Sequence, residues 1–546
     1  MASQQAVSQL DPAPRPLPRW LRWTVAVSLG GVVAVRVAGN LGDPPRPLND
    51  SAVRNILTGI GLFVALASAW FWISFRSRYA GWLRRLVLVL PLVAVGLFLT
   101  LFRVVEVTGG LVPRFAWRWQ PPADQLLGQI LPAADVSADL SSTTPDDFPE
   151  FLGPGRRCWV PGPELASDWT HQPPRILWQR PMGAGWSAFA AVNGFAVTLE
   201  QRGEEEWVAC YEIATGKSVW GHAIRARHEN PLGGIGPRGT PTLDQGVVYA
   251  LGATGVLRSL EGATGSLKWQ VDLRRRYGLS PRDDEAQVSW GRAASPLVVD
   301  GLVVVPGGGP PGKAKNLVAL AAASGEVVWE SECPRADGAP DQISYASPAL
   351  ATLAGRRQIV IVNESTASGH DPVTGRLLWS HPWPGQSNAQ ANASQAVPIG
   401  EDRLLLSKGY SGGAELIQIV PSGETYTTRT LWKNPRVLQT KFTNVVVYQG
   451  HAYGLSEGIL ECVDLASGER RWKAGRYRHG QILGVGDQLL VLDEEGRLHL
   501  VAADPSGWKE RGTIAVLEGK TWNNLCLFGR KLLVRNSQMA ACVELP

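Results

Sequence analysis

One pattern constrains this chain more than any other. The stretch VACYEIATGKSVW (Val208–Trp220) returns as LRSLEGATGSLKW (Leu257–Trp269), LVALAAASGEVVW (Leu317–Trp329), ASGHDPVTGRLLW (Ala367–Trp379) and LECVDLASGERRW (Leu460–Trp472). In each copy a small residue (Cys210, Ser259, Ala319, Gly369, Cys462) stands six before a glycine (Gly216, Gly265, Gly325, Gly375, Gly468). Thr or Ser precedes the glycine, and a tryptophan follows it by four (Trp220, Trp269, Trp329, Trp379, Trp472). An apolar-alternating strand therefore ends at a glycine turn, and a second strand runs back carrying a buried indole. Such a hairpin cannot hide its tryptophan alone, so successive copies must stack. Taken as differences along the chain from Gly216 through Gly265, Gly325, Gly375, Gly423, Gly468 and Gly507, the spacing is 49, 60, 50, 48, 45 and 39 residues. Periods near 40–50 with about four short strands each predict a radial all-β propeller.

The number of blades follows from the return strands. Trp178 (in ILWQRP), Trp220, Trp269, Trp329, Trp379, a degenerate one at Trp432, Trp472 and another near Trp508 make eight, with seven as the runner-up. ILWQRP has no partner before it, while KLLVRN (Lys531–Asn536) and ACVEL (Ala541–Leu545) have no return strand after them. The economical closure pairs these ends, completing the last blade and leaving no free sheet edge.

The spacing of Ala319, Gly325 and Trp329, and of Cys210, Gly216 and Trp220, resembles the tryptophan-docking motif of the pyrroloquinoline-quinone (PQQ)-like repeat family. That family comprises the eight-bladed propellers of quinoprotein alcohol dehydrogenases and of the outer-membrane assembly lipoprotein BamB. The resemblance covers residues 148–546. FPEFLGPGR (Phe148–Arg156), GPRGTP (Gly236–Pro241), KFTN (Lys441–Asn444), GRYRHGQ (Gly475–Gln481) and KTWNN (Lys520–Asn524) are similar to a planctomycete-type group of membrane-anchored PQQ-like proteins.

Ahead of the repeats, residues 1–19 are polar and Pro-rich and predict a disordered cytoplasmic tail. Residues 20–102 hold three apolar runs, about 21–38, 56–75 and 83–102, against the roughly 20 apolar residues a span requires. The first carries Arg36, which must snorkel, and competes with a signal-peptide reading. The loop Arg76–Arg85 holds Arg76, Arg78, Arg84 and Arg85 and no acid, which keeps it cytoplasmic. The third run then exits on the other side, so the propeller is exoplasmic with two spans or three. The expected setting is a bacterial inner membrane, multi-pass. Residues 103–147 read as a linker with an aromatic patch, Phe115, Trp117 and Trp119, which either lies on the membrane surface or docks on the propeller.

Chemistry would sit in the loops that lead from each return strand into the next blade, because these converge near the central channel. They carry Arg238, Trp290, Arg292, Tyr345, Asn388, Asn392, Lys441, Thr443, Asn444, His479, Gln481, Trp522, Asn523 and Asn524. Together these offer cations, amides and stackable rings suited to a carboxylate, a sugar or a peptide strand, Arg238 and Lys441 foremost. The competing role is hydrogen bonding between neighbouring loops. The family resemblance implies, for a quinoprotein dehydrogenase, a calcium held by Glu, Asn and Asp, an Asp base, a Trp floor and an adjacent-cysteine disulfide. The chain has no adjacent cysteines, and Asp283, Asp284 and Glu285 read as one solvated charge run, so neither cofactor nor metal is expected. Six cysteines read as packing thiols. A net charge of +5 without a Lys/Arg run excludes a nucleic-acid partner. No G-x-S-x-G, Walker A or H-E-x-x-H motif occurs. The function expected is a membrane-anchored, non-catalytic binding or scaffold module for envelope proteins, with a PQQ-dependent oxidoreductase and a small-ligand sensor as rivals.

Overall fold

The computed structural model describes residues 17–39, 44–45, 47–48, 50–130, 137–336, 338–385 and 391–546. Most of the expected cytoplasmic tail, and Asn388, lie outside them. The chain forms two compact units, residues 1–120 and 121–546.

The first unit contains helices α1 (Arg19–Gly39), α2 (Ser51–Phe71, continued by a π-turn Trp72–Arg76) and α3 (Gly81–Leu101). All three are long and apolar enough to cross a membrane. At 21 residues, α1 and α3 each extend about 31 Å, the thickness of a bilayer's hydrocarbon core. Helix α2 starts earlier than its uncharged stretch because Asp50 caps it, accepting from Ala52 N at 2.7 Å. Arg54 then lies inside the helix, where its guanidinium reaches Leu48 O at 2.6 Å. Helix α3 ends at Leu101, and Phe102 opens a hairpin of β1 (Phe102–Val107) and β2 (Pro113–Trp117).

The second unit is an eight-bladed propeller. Its blades span residues 190–225, 242–272, 297–332, 349–382, 397–434, 446–476, 481–515 and, for the eighth, 526–544 together with 175–181. The first seven are antiparallel meanders in chain order. First strands of neighbouring blades touch around the axis, and the tryptophan-bearing fourth strands lie outermost. The eighth blade is completed by Arg175–Pro181 pairing with Met539–Glu544, Trp178 opposite Cys542, so the two ends of the domain close the ring.

The repeat residues are explained by three contacts. In the ladder of strands three and four the small residue faces the indole directly: Cys210↔Trp220, Ser259↔Trp269, Ala319↔Trp329, Gly369↔Trp379 and Cys462↔Trp472. At Gly369 an added Cβ would lie 2.1 Å from the Trp379 indole nitrogen. A β-bulge follows each of these pairs and turns the indole toward the next blade. There its N–H donates to a turn carbonyl: Trp178 to Ile213 (2.8 Å), Trp220 to Gly262 (2.8 Å), Trp269 to Ala322 (2.9 Å), Trp329 to Pro372 (3.2 Å), Trp432 to Leu465 (2.8 Å) and Trp472 to Asp504 (2.8 Å). The ring face lies on the turn glycine. A Cβ on Gly265 would meet Trp220 at 2.4 Å, and one on Gly375 would meet Trp329 at 2.4 Å.

Two blade junctions depart from this. Trp379 donates to Gln358 of its own blade, and nothing lies within 4 Å of where a Gly423 Cβ would be. Trp508 is not in a return strand, contrary to the sequence reading. The fourth strand there is Glu510–Ala515, the position opposite Leu500 is Gly512, and the side chain packed on Gly512 is Trp169, brought in from upstream. All six cysteines are free and buried.

The segment read as a linker divides between the units. From Pro121 onward it docks on the propeller through isolated anchors: Asp124 pairs with Arg227 at 2.8 Å, and Ala138 and Leu140 are buried between the first two blades. Single anchors without periodicity leave no strand or helix pattern in a sequence.

Gly265→Ala and Gly375→Ala should each lower propeller stability by about 3 kcal/mol in chemical denaturation, since a left-handed backbone and a clash with an indole add together. Gly423→Ala, with the same backbone sign but open space, should cost about 1 kcal/mol.

Candidate functional site

In a meander, the turns joining strands one to two and three to four share one face of the propeller. The loops joining two to three, and each blade to the next, share the other. The candidate residues belong to this loop face.

The opposite, turn face is covered by residues 138–160. Asn193 donates to the Asp139 carbonyl and carboxylate at 3.1 Å each, Gly246 N donates to Leu140 O at 3.1 Å, and Gly529 N donates to Asp146 O at 3.3 Å. The chain then enters the axis. Phe148 bridges Ala191 of the first blade, and Leu243 N of the second donates to Pro149 O at 2.8 Å. Arg156, 4% exposed, spreads its guanidinium over Pro348 O (2.7 Å), Ser295 O (3.1 Å) and Pro296 O, while Glu150 pairs with its Nε at 2.7 Å. Gln395 Nε2 donates to Arg156 O at 3.1 Å, and Trp159–Val160 adds a parallel strand to the seventh blade. Residues 148–160, FPEFLGPGR and the strand after it, thus form a plug that ties six blades to one another across the channel. The sequence marked it only as a family-like motif. Its signal was a Gly-Pro-Gly-Arg turn before the first repeat, where a lone buried arginine can satisfy several carbonyls converging from different blades.

Seen from the loop face, many polar candidates hold the ring together. In successive blades the residue two before the first strand accepts from the backbone of the preceding blade's equivalent. Thr240 Oγ1 accepts from Ala188 N (3.3 Å), Ser295 Oγ from Thr240 N (2.9 Å), Ser347 Oγ from Ser295 N (2.9 Å) and Asn444 Oδ1 from Gln395 N (2.9 Å). Gln481 Nε2 joins Phe442 O (3.2 Å) to Trp522 O (2.9 Å), and Asn523 Nδ2 reaches Gly185 O (3.1 Å) and Ser187 O (2.8 Å). Asn392 Nδ2 donates to Asn363 O at 2.7 Å and Glu364 O at 2.8 Å.

Several charges are matched internally. Arg292 is buried against Asp284 at 2.7 Å, which corrects the solvated charge run: Asp284 is buried on a short helix, Pro281–Gln287, that Ser280 caps. Lys441 pairs with Glu457 at 3.2 Å and sits 5.4 Å from the Tyr410 ring. His479 is buried with its ring 5.5 Å from Phe442. Trp522 donates to Glu494 at 2.9 Å, and Lys520 lies 4.2 Å from its ring and 4.9 Å from that of Trp186. Asn524 is half-buried, with its Oδ1 unbonded among the described residues. Trp186, Phe442 and Lys520 were not singled out from sequence. Their signal was aromatic and basic residues in the same inter-blade loops.

A different arrangement holds at Arg238, Trp290 and Tyr345. Arg238 donates only to backbone carbonyls, Gly236 at 2.5 Å, Gly233 at 2.8 Å and Gly234 at 3.3 Å, and no carboxylate pairs with it among the described residues. Burial pulls its pKa down to about 10, with Tyr345 acting in the opposite sense. Tyr345 is buried, and its ring centre lies 5.1 Å from that of Trp290 with the planes tilted by 34°. Burial pushes its pKa up to about 12, opposed by a backbone hydrogen bond at Trp290 and by the Arg238 charge, with Glu364 and Tyr410 adding to the rise. Glu364, a nearby half-buried acid, has its pKa raised to about 7 by burial and by the Asp341 carboxylate. The grouping thus places two aromatic rings beside a cation whose hydrogen-bond partners among the described residues are all carbonyls.

The matching of blades by docked indoles defines an eight-bladed propeller of the tryptophan-docking class. A family model described as "Outer membrane protein assembly factor BamB" matches residues 204–474, and the domain is a PQQ-like repeat β-propeller. Among solved structures the chain is similar to BamB from Moraxella catarrhalis (16% identity, covering 68% of this chain and 100% of that one, TM-score 0.49). It is also similar to the quinohemoprotein alcohol dehydrogenase ADHIIG from Pseudomonas putida HK5 (12%, 73% and 80%, TM-score 0.43) and to the computationally designed protein Ika8 (10%, 67% and 98%, TM-score 0.45). No curated protein sequence matches it.

Two measurements check these assignments. Arg156→Ala should cost about 3 kcal/mol or more in chemical denaturation, because buried carbonyls lose their donor, whereas the exposed neighbour Arg157→Ala should stay within about 0.5 kcal/mol. Glu364 binds its proton more tightly folded than unfolded, so its ionisation removes stability as pH rises from about 4.5 to about 7. Glu364→Gln should flatten the stability profile across that window and add about 1 kcal/mol at pH 8, discounted for the carboxylate's partial exposure.

Proposed function

We propose that the chain is a multi-pass protein of a bacterial inner membrane that displays a non-catalytic propeller on the exoplasmic side. The loop face binds an envelope protein through an acidic group. The observation that carries this reading is Arg238, held by carbonyls with no carboxylate paired to it among the described residues and flanked by Trp290 and Tyr345. A half-buried cation in that state gains from an incoming anion, and the neighbouring Trp290 ring gives a peptide backbone or planar side chain a surface to lie on. The exoplasmic placement is supported by the four arginines of the Arg76–Arg85 loop between α2 and α3.

A calcium-borne quinone does not fit the donors at this face. Calcium takes six to eight oxygens, several of them carboxylate. Here Asp284 neutralises Arg292, Glu457 pairs with Lys441, and Glu494 accepts from Trp522. Among the described residues no three His, Cys, Asp or Glu side chains group as metal ligands.

The reading is tested by capture from detergent-solubilised envelope on the immobilised full chain. Arg238→Ala and Tyr345→Phe should each lose the captured protein while thermal unfolding stays within a few degrees of the parent. Capture unaffected by both substitutions would place the partner elsewhere. Stoichiometric uptake of PQQ with calcium, followed by dye-linked alcohol oxidation, would replace the reading with an oxidoreductase.

A further inference from the structure

The hairpin of β1 and β2 follows α3 without a break, and its register makes it two-faced. Phe102 pairs with Trp117 and Val104 with Phe115, which places these four side chains on one face. Arg103 pairs with Ala116 and Glu106 with Arg114, which fills the other, and Glu106 and Arg114 form an ion pair at 3.0 Å. A bulge between Val104 and Glu106 keeps the two sets apart across an odd number of residues.

The apolar face is built rather than incidental. Phe98 near the end of α3 stacks on Phe102 at 4.9 Å and meets Phe115 edge-on at 5.0 Å, while Phe102 stacks on Trp117 at 4.7 Å. Arg118 turns back to cap α3, donating to Leu99 O at 2.6 Å and Thr100 O at 3.2 Å, which fixes the hairpin to the helix end. Even so, Phe115 is 47%, Trp117 51% and Trp119 70% exposed within this unit, and Val104 and Val112 are exposed beside them.

We propose that this hairpin lies in the interfacial layer of the bilayer, its aromatic face against lipid at the acyl–headgroup boundary and its Arg103/Arg114 face toward phosphate and water. Continuity with the span selects that occupant. A face that begins one residue beyond an apolar transmembrane helix, and is braced by that helix's last turn, starts at the depth where Trp and aromatic rings partition. Its cations stand on the opposite face, where lipid phosphates lie. The hairpin thereby fixes how α3 leaves the membrane.

The experiment uses the full chain in liposomes of zwitterionic and anionic lipid, with a nitroxide at Phe115→Cys, Trp119→Cys or Ala116→Cys. The native cysteines are all buried, so labelling is confined to the added thiol. Collision rates with oxygen, which concentrates in lipid, and with a water-soluble nickel chelate are then measured. The expected result is high oxygen and low nickel access at 115 and 119, with the ratio reversed several-fold at 116. Low access to both reagents at 115 and 119 would mean that protein covers the face and would overturn the proposal. High nickel access at all three positions would also overturn it, by placing the hairpin in water. Trp119 makes no aromatic ring contact among the described residues, so its variant reports even if the Phe115 substitution disturbs the aromatic stack.

Discussion

The indole N–H bond from one blade to a turn carbonyl of the next is the contact on which this ring depends. It is a single hydrogen bond, yet its geometry demands three other things at once. A small residue must sit opposite the indole, a bulge must swing it outward, and a glycine with positive φ must let the neighbouring turn lie flat against its face. Each requirement falls on a different strand, so the repeat is conspicuous although no blade is stable alone. Where the arrangement fails, another polar tie stands in for it. Between the fourth and fifth blades Trp379 turns back to its own sheet, and His381 spans the gap instead, 3.0 Å from Glu415 and 3.0 Å from Thr428. Between the seventh and eighth, Trp169 supplies the ring that the return strand lacks.

Closing a ring of sheets removes its edges but leaves a channel lined by backbone and short side chains. Carbonyls released at the start of each first strand point inward from different blades, and they must find donors. Arg156 answers several of them with one guanidinium, which is why a segment outside the repeats is drawn into the axis. The loop face solves the same problem with a chain of side-chain acceptors, Thr240, Ser295, Ser347 and Asn444, each serving the blade before it. Satisfying the ring therefore uses most of the polar residues that the loops contain.

That division explains what could be read from the sequence. The blades, their number and the closure by Trp178 were legible because docking needs fixed residue types at fixed spacing. The three apolar helices were legible because hydrocarbon thickness sets a length. Arg292, Lys441 and Asn444 looked like ligand contacts because a sequence lists a cation or an amide without its partner. Asp284 lies eight residues from Arg292 and Glu457 sixteen from Lys441, at spacings that no local rule connects. Trp169 and Asp124 were invisible, and the plug was marked without its role, for a related reason, since each acts once and nothing repeats it.

What remains after these pairings is a small remainder with chemical consequence. Arg292 and Arg238 occupy neighbouring inter-blade loops and share the same residue type, but one has a carboxylate at 2.7 Å and the other has only carbonyls. Carbonyl dipoles hold a guanidinium in place without cancelling its charge, so the potential at Arg238 projects outward instead of being spent within the fold. Buried Arg535 is held in the same way, by Gly183 O, Leu199 O and Thr198 Oγ1, and buried Lys408 donates to Pro384 O, so Arg238 differs from them in being half-buried rather than enclosed. An anion proposed to meet Arg238 would leave in place the hydrogen bonds that close the ring.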